Sequence, residues 1–168
     1  MKPHANQVSA VTPGGIGTIL HTFRWERAGV LYARLALGSA FLSAVASRFG
    51  LWDKTVDLDH FKGFIHYTAE MNAFLPLALI PAVAWAATLA ETSCGILLIV
   101  GMWPRWVSLA SAVLLALFGL AMAISFGAKS PMDYSVFSAS SGAALLALYE
   151  WRQNTKQTSK HKMKGESA

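Results

Sequence analysis

Two ionisable side chains stand well inside apolar runs of this sequence, Arg34 and Glu91. Charged groups are expensive in hydrocarbon, so such residues normally face a helix-bundle interior or a wet cavity. Around the acid, Thr88, Glu91, Thr92 and Gly95 recur at spacings of three and four and share one helix face, with Cys94 at its edge. Threonine hydroxyls can hydrogen-bond a carboxyl, and glycine lets a second helix come close. With Arg34 and Gly38 contributed by an earlier run, these residues would line a small polar cavity. Such a cavity could receive the head of a quinone, and a carboxyl there can exchange a proton during quinol chemistry. The competing reading is a structural glutamate that fixes helix packing.

Whether Arg34 and Glu91 pair directly stays open at this level. A pair would lower the cost of both charges, although desolvation still opposes it. Counting along the helices puts Arg34 about 10 Å and Glu91 about 18 Å from the same membrane boundary, a gap that a long arginine can bridge. Against this, helical side chains lean toward their own N-terminus, which carries these two apart. In the alternative, Arg34 snorkels to headgroups and Glu91 is neutral or bonded to a neighbour.

Other chemistries find little support. His4, His21, His60, His66 and His161 all lie outside the apolar runs, which argues against haem ligation within the membrane. His60 and His66 are six apart, a poor helical ligand pair, and read as surface histidines. Cys94 is the single cysteine, so thiol exchange through a Cys-x-x-Cys pair is excluded and no metal is expected. Gly14-Gly15-Ile16-Gly17 precedes no strand–helix unit and reads as flexible chain rather than a phosphate cradle.

The elements that must position the acid are apolar helices. The 168 residues are 54% hydrophobic and 14% charged, against roughly a quarter charged in a soluble domain. The surplus is gathered into runs long enough to span about 30 Å of hydrocarbon. They fall at about 28–49, 74–102, 107–126 and 134–151, the last rich in serine and barely long enough. Pro76 and Pro81 crowd the start of the second, so its helix begins near Pro81 or is kinked. Ala44-Val45-Ala46 has the form of a signal-peptidase site, but the run around it exceeds a signal core, so an uncleaved helix is expected. Between the first two runs, Phe61, Phe64, Ile65, Thr68 and Met71 recur at helical spacing. They predict a short amphipathic helix, either lying on the membrane surface or packed on the bundle.

The fold expected is therefore an all-α integral membrane four-helix bundle, with that short helix in the first extracytoplasmic connection. Residues 1–27 read as a flexible cytoplasmic tail, 28–151 as the membrane domain and 152–168 as a basic, disordered cytoplasmic tail. With four spans, one side carries Lys2, Arg24, Arg27, Arg105, Arg152 and the tail lysines; the other has Arg48, Lys54, Lys62 and Lys129. The positive-inside rule then places both termini in the cytoplasm of a bacterial inner membrane. The basic tail suits anionic lipid, and no nucleic-acid partner is expected.

Read in order, Arg34, Gly38, Phe41 and Arg48, then Glu91-x-x-x-Gly95, Gly101 and Arg105, resemble the DoxX family of small bacterial membrane proteins over about residues 28–150. Val45 stands where that family often has glycine, and Arg48 where lysine is common. The resemblance implies a four-helix membrane fold. It extends to the DoxD-type small subunit of thiosulfate:quinone oxidoreductase, which implies a quinone-linked redox setting and a partner subunit. The expectation is an accessory or quinone-interacting subunit, with quinone as the one cofactor considered, none intrinsic, and no catalytic residue assigned. An oligomer is compatible with it, and whether the chain is itself an enzyme is left open. The alternatives are a small proton-coupled or ion carrier using Glu91, unsupported by any inverted repeat, and a purely structural membrane scaffold.

Overall fold

The computed structural model describes the backbone of residues 15–53, 57 and 59–165, and the side chains of residues 25–53, 57 and 59–155. Its elements are α1 (Gly15–Arg48), α2 (Asp59–Met71), a 3-10 turn (Leu77–Leu79), α3 (Ile80–Val100), α4 (Pro104–Phe126), α5 (Lys129–Asp133) and α6 (Val136–Gly165). There is no strand among the described residues. Three helical segments are long and apolar enough to cross a membrane: Trp25–Arg48, Leu77–Val100 and Pro104–Phe126. Large apolar side chains such as Leu31, Leu89, Val113, Leu117 and Ile124 point outward along them. That arrangement suits lipid as the solvent of a multi-pass membrane protein.

Local chemistry sets the boundaries. Pro81 and Pro104 sit in the first turns of α3 and α4, where a missing N–H costs nothing. Pro76 holds an extended backbone (φ −59°, ψ 134°) before the 3-10 turn, so α3 starts at Ile80 and not at the beginning of the apolar run. Gly101 ends α3 in the left-handed region (φ 77°), its N–H returning to the Leu97 carbonyl.

Both tails are shorter than the sequence suggests. The helix of α1 begins at Gly15, within the glycine-rich stretch expected to be flexible, and α6 runs on through the basic tail to Gly165. Residues 1–14 of the expected N-terminal tail and residues 166–168 lie outside the described residues, as do the side chains of the tail lysines.

Four helices, α1, α3, α4 and α6, form a ring. The antiparallel pairs α1–α3 and α4–α6 have the most extensive contacts, joined by α3 on α4 and closed by α1 on α6. The α1–α3 crossing is tight. A Cβ on Gly38 would stand 2.9 Å from the Gly95 carbonyl oxygen, and one on Gly95 would stand 3.1 Å from that of Gly38. Along α4–α6, Gly119 lies beneath the Phe137 ring and Ser140 Oγ donates to the Ala112 carbonyl at 2.8 Å. One core cluster gathers Phe41, Cys94, Leu98, Val107 and Leu146.

The connecting helix α2 lays its expected apolar face on the bundle and not on a membrane surface: Phe61, Thr68 and Met71 are buried. Phe61 stacks on Phe49 at 5.4 Å and meets Trp85 in a tilted contact at 4.4 Å. Ser125 Oγ donates to the Met71 carbonyl and ties the far end of α2 to α4.

Candidate functional site

The bundle holds two buried ion pairs, and neither is Arg34 with Glu91. Arg48 Nη2 donates to Glu91 Oε1 at 2.6 Å, and Arg34 Nη2 to Glu150 Oε1 at 2.5 Å. The reason is register. The Gly38–Gly95 contact sets α1 against α3 so that the Arg34 guanidinium lies against Gly101, 3.0 Å from where a Cβ there would stand. Gly101 is ten positions beyond Glu91, about 15 Å at 1.5 Å per residue. Arg48, at the C-terminal end of α1, leans back along its own helix into the bundle, and Glu91 on the antiparallel helix leans toward it. The rule that sets Arg34 and Glu91 apart brings these two together.

The pairs differ in how completely they are satisfied. Glu150 is closed: Oε1 accepts from Arg34 Nε at 2.8 Å as well as from Nη2, and Oε2 accepts from Ser108 Oγ at 3.2 Å. Glu91 is open. It is 2% exposed, yet only Oε1 is bonded, and Oε2 has no hydrogen-bond partner among the described residues. Buried acceptors are rarely left so, since one costs about 1–3 kcal/mol.

The remaining predicted residues divide. Thr88 belongs to the site: its Oγ1 accepts from Arg48 Nη1 at 3.0 Å and donates to the Ala84 carbonyl at 2.8 Å. Thr92 spends its hydroxyl on the Thr88 carbonyl at 2.7 Å. Gly38 and Gly95 make the helix crossing that aligns the site and do not line it. Arg34 sits at the other end of the bundle with Glu150. From sequence, Arg48 enters only the outer-side charge and the family pattern, Phe64 only the apolar face of α2, and Glu150 and Ser108 no site at all; the Phe64 ring lies 3.8 Å from the Arg48 guanidinium carbon. The signal for Glu150 was available: it is an acid at the end of the fourth apolar run, level with Arg34 near the start of the first.

Two cavities accompany the pairs. One of about 600 Å³ is lined by Glu91 and Arg48, by Phe64, Thr68 and Asn72 of the α2 region, and by apolar residues of α1, α3 and α4. Thr68 Oγ1 and Asn72 Nδ2 already donate to backbone carbonyls, of Phe64 and Thr68. A wider space of about 1210 Å³ at the opposite end is lined by Arg34, Glu150, Cys94 and residues Trp103 to Trp106 at the start of α4.

On the α1–α2 connection, His60 Nδ1 lies 2.8 Å from Asp57 Oδ1 and Nε2 lies 3.1 Å from Asp53 Oδ2. The hydrogen bond to Asp57 raises the imidazole above its ordinary pKa of 6.5. No group of three His, Cys, Asp or Glu is placed to hold a metal among the described residues.

Fold and site together define a small multi-pass membrane protein with a helical ring enclosing charged pairs. More narrowly, the chain belongs to the family of the methylamine utilisation protein MauE, whose family model matches residues 26–133. This corrects the DoxX resemblance drawn from the spacing of Arg34, Gly38, Glu91 and Gly95: the matching family is a different one. Arg34, Arg48, Thr88 and Glu91 fall within the matched span and Glu150 beyond it. No curated protein and no solved structure matches the chain.

Proposed function

We propose that this chain is an accessory protein of a membrane redox system, acting by binding the head of a lipid-soluble quinone in the cavity at Arg48 and Glu91. One observation carries the reading. Of two buried acids, Glu150 has both oxygens engaged by protein, whereas Glu91 keeps an unmatched oxygen in a residue that lines an apolar cavity of about 600 Å³. That volume falls within the range of small-ligand sites, which pair apolar walls with a few fixed polar groups. The membership in a family named for methylamine utilisation is in keeping with an accessory role in a multi-component redox system.

In this reading α6 completes a fourth span. It runs antiparallel to α4 and returns Glu150 to the level of Arg34. Both termini then face the cytoplasm of a bacterial inner membrane, as the basic residues near them favour.

The test is quinone content and binding in the purified protein. Quinone or quinol should co-purify or titrate in with saturation, and Glu91→Gln should weaken quinol binding by about tenfold, one hydrogen bond's worth, while circular dichroism shows that the variant keeps its helical fold. Glu91-dependent proton flux in proteoliposomes without an electron donor, with no quinone bound, would replace this reading with the carrier.

A further inference from the structure

We infer that the Arg48–Glu91 site selects the reduced carrier, a quinol hydroxyl, over the oxidised quinone carbonyl. The inference rests on the reading above that a quinone-type head enters this cavity, and adds which redox form is held.

The argument is an inventory of donors and acceptors. Arg48 keeps its proton, and its ion pair with Glu91 at 2.6 Å favours the carboxylate form, which can only accept. Its Oε1 is taken by Arg48 Nη2, leaving Oε2 unmatched. Several nearby donors point elsewhere: the Thr88, Thr92 and Thr68 hydroxyls to the carbonyls of Ala84, Thr88 and Phe64, and Asn72 Nδ2 to that of Thr68. The Phe64 ring covers a face of the Arg48 guanidinium. What Glu91 Oε2 lacks is a donor. A quinol O–H supplies one to Oε2, and its oxygen can accept from an Arg48 N–H not spent on Thr88 or Glu91. A quinone carbonyl can do only the second, and turns its lone pairs toward a carboxylate oxygen.

The experiment uses the full chain in lipid nanodiscs and a short-chain ubiquinone analogue. Four ligands are titrated anaerobically: the quinone, the quinol, and the quinol mono- and dimethyl ethers. The expected order is quinol tightest, the monomethyl ether next, and the quinone and dimethyl ether weaker than quinol by about tenfold, which corresponds to one hydrogen bond of about 1.4 kcal/mol. Infrared difference spectra should show a carboxylate band that shifts on quinol binding and not on quinone binding, and that is lost in Glu91→Gln. Quinone bound as tightly as quinol, or no carboxylate shift, overturns the selectivity and leaves the quinone site standing. Binding of none of the four ligands overturns the quinone site itself. The ligand series needs no variant, so it decides the matter even if Glu91→Gln does not fold.

Discussion

Gly38 and Gly95 meet backbone to backbone, each carbonyl oxygen standing about where the other's side chain would begin, 2.9 Å and 3.1 Å away. That contact fixes how far α1 is slid along α3, and the slide decides which arginine meets which acid. A methyl on Gly38 would also come 2.7 Å from Ile99 Cγ1. Backbone cannot be moved cheaply, so Gly38→Ala should destabilise the bundle by about 1–3 kcal/mol. Gly142, in α6 with nothing within 4 Å of an added Cβ, is the control. There Ala should be neutral or stabilising by about 0.5–1 kcal/mol, as for helical glycine generally. Reversible unfolding in bicelles compares them, and equal stability of the two variants would remove the crossing from the explanation.

The pairing itself is testable by double-mutant cycles on the same unfolding assay. Removing one member of a buried pair leaves a stranded charge and should cost about 3–5 kcal/mol, while removing both should cost much less. We therefore expect large coupling for Arg34→Leu with Glu150→Leu and for Arg48→Leu with Glu91→Leu. Arg34→Leu with Glu91→Leu should be additive within about 0.5 kcal/mol, since the groups share no partner. Strong coupling in that last cycle would restore the pairing that the sequence left open.

Phe64 is the link between the connecting helix and the site. Its ring lies 3.8 Å from the Arg48 guanidinium carbon, and cation–π contacts range from about 0.5 kcal/mol exposed to about 2 kcal/mol desolvated. Phe64→Leu keeps apolar volume and removes the ring face. It should weaken stability by an amount in that range, and the loss should vanish when Arg48 is already leucine. A loss of the same size in the Arg48→Leu background would mean that Phe64 contributes packing alone.

The parts legible from sequence were those set by local pattern. Apolar runs gave the helices, Pro76 and Pro81 bounded the start of α3, and the spacing of Phe61, Thr68 and Met71 gave the face that α2 buries. Glu91 with Thr88 was legible because both lie on one turn of one helix. Arg48 was not, because partner choice depends on interhelical register, and register here depends on two glycines whose spacing says nothing about which residues lie opposite. Glu150 was legible as an acid at the end of the fourth apolar run, level with Arg34, but its bonds were not: only the course of α6 brings it against Arg34 and Ser108. Family membership was the least legible: the same arginines, glycines and glutamate fitted a different family's pattern, since intramembrane Arg, Gly and Glu answer to bundle physics that many families share.

The connection between α1 and α2 should loosen as pH rises past neutrality. Asp57 Oδ1 caps α2 by accepting the N–H of Asp59 and of His60 and also meets His60 Nδ1, while Asp53 meets Nε2 and Lys62 pairs with Asp59. The bond to Asp57 raises His60 above 6.5, against some desolvation, and the charges of Asp57 and Asp53 add to it. The bond to His60 likewise lowers Asp57 below its ordinary 3.8. A raised histidine stabilises fully below its unfolded value of about 6.5 and loses that contribution as pH climbs through the raised value. A lowered aspartate contributes above about 3.8 and fades only as pH falls through its lowered value. The clamp is thus complete between about pH 4 and 6.5 and weakens above that range. Amide protection factors of His60, Phe61 and Lys62, corrected for intrinsic exchange, should fall between pH 6.5 and 8.5, and His60→Gln should flatten the profile. A wild-type profile already flat across that interval would show that the imidazole's charge does not hold this connection.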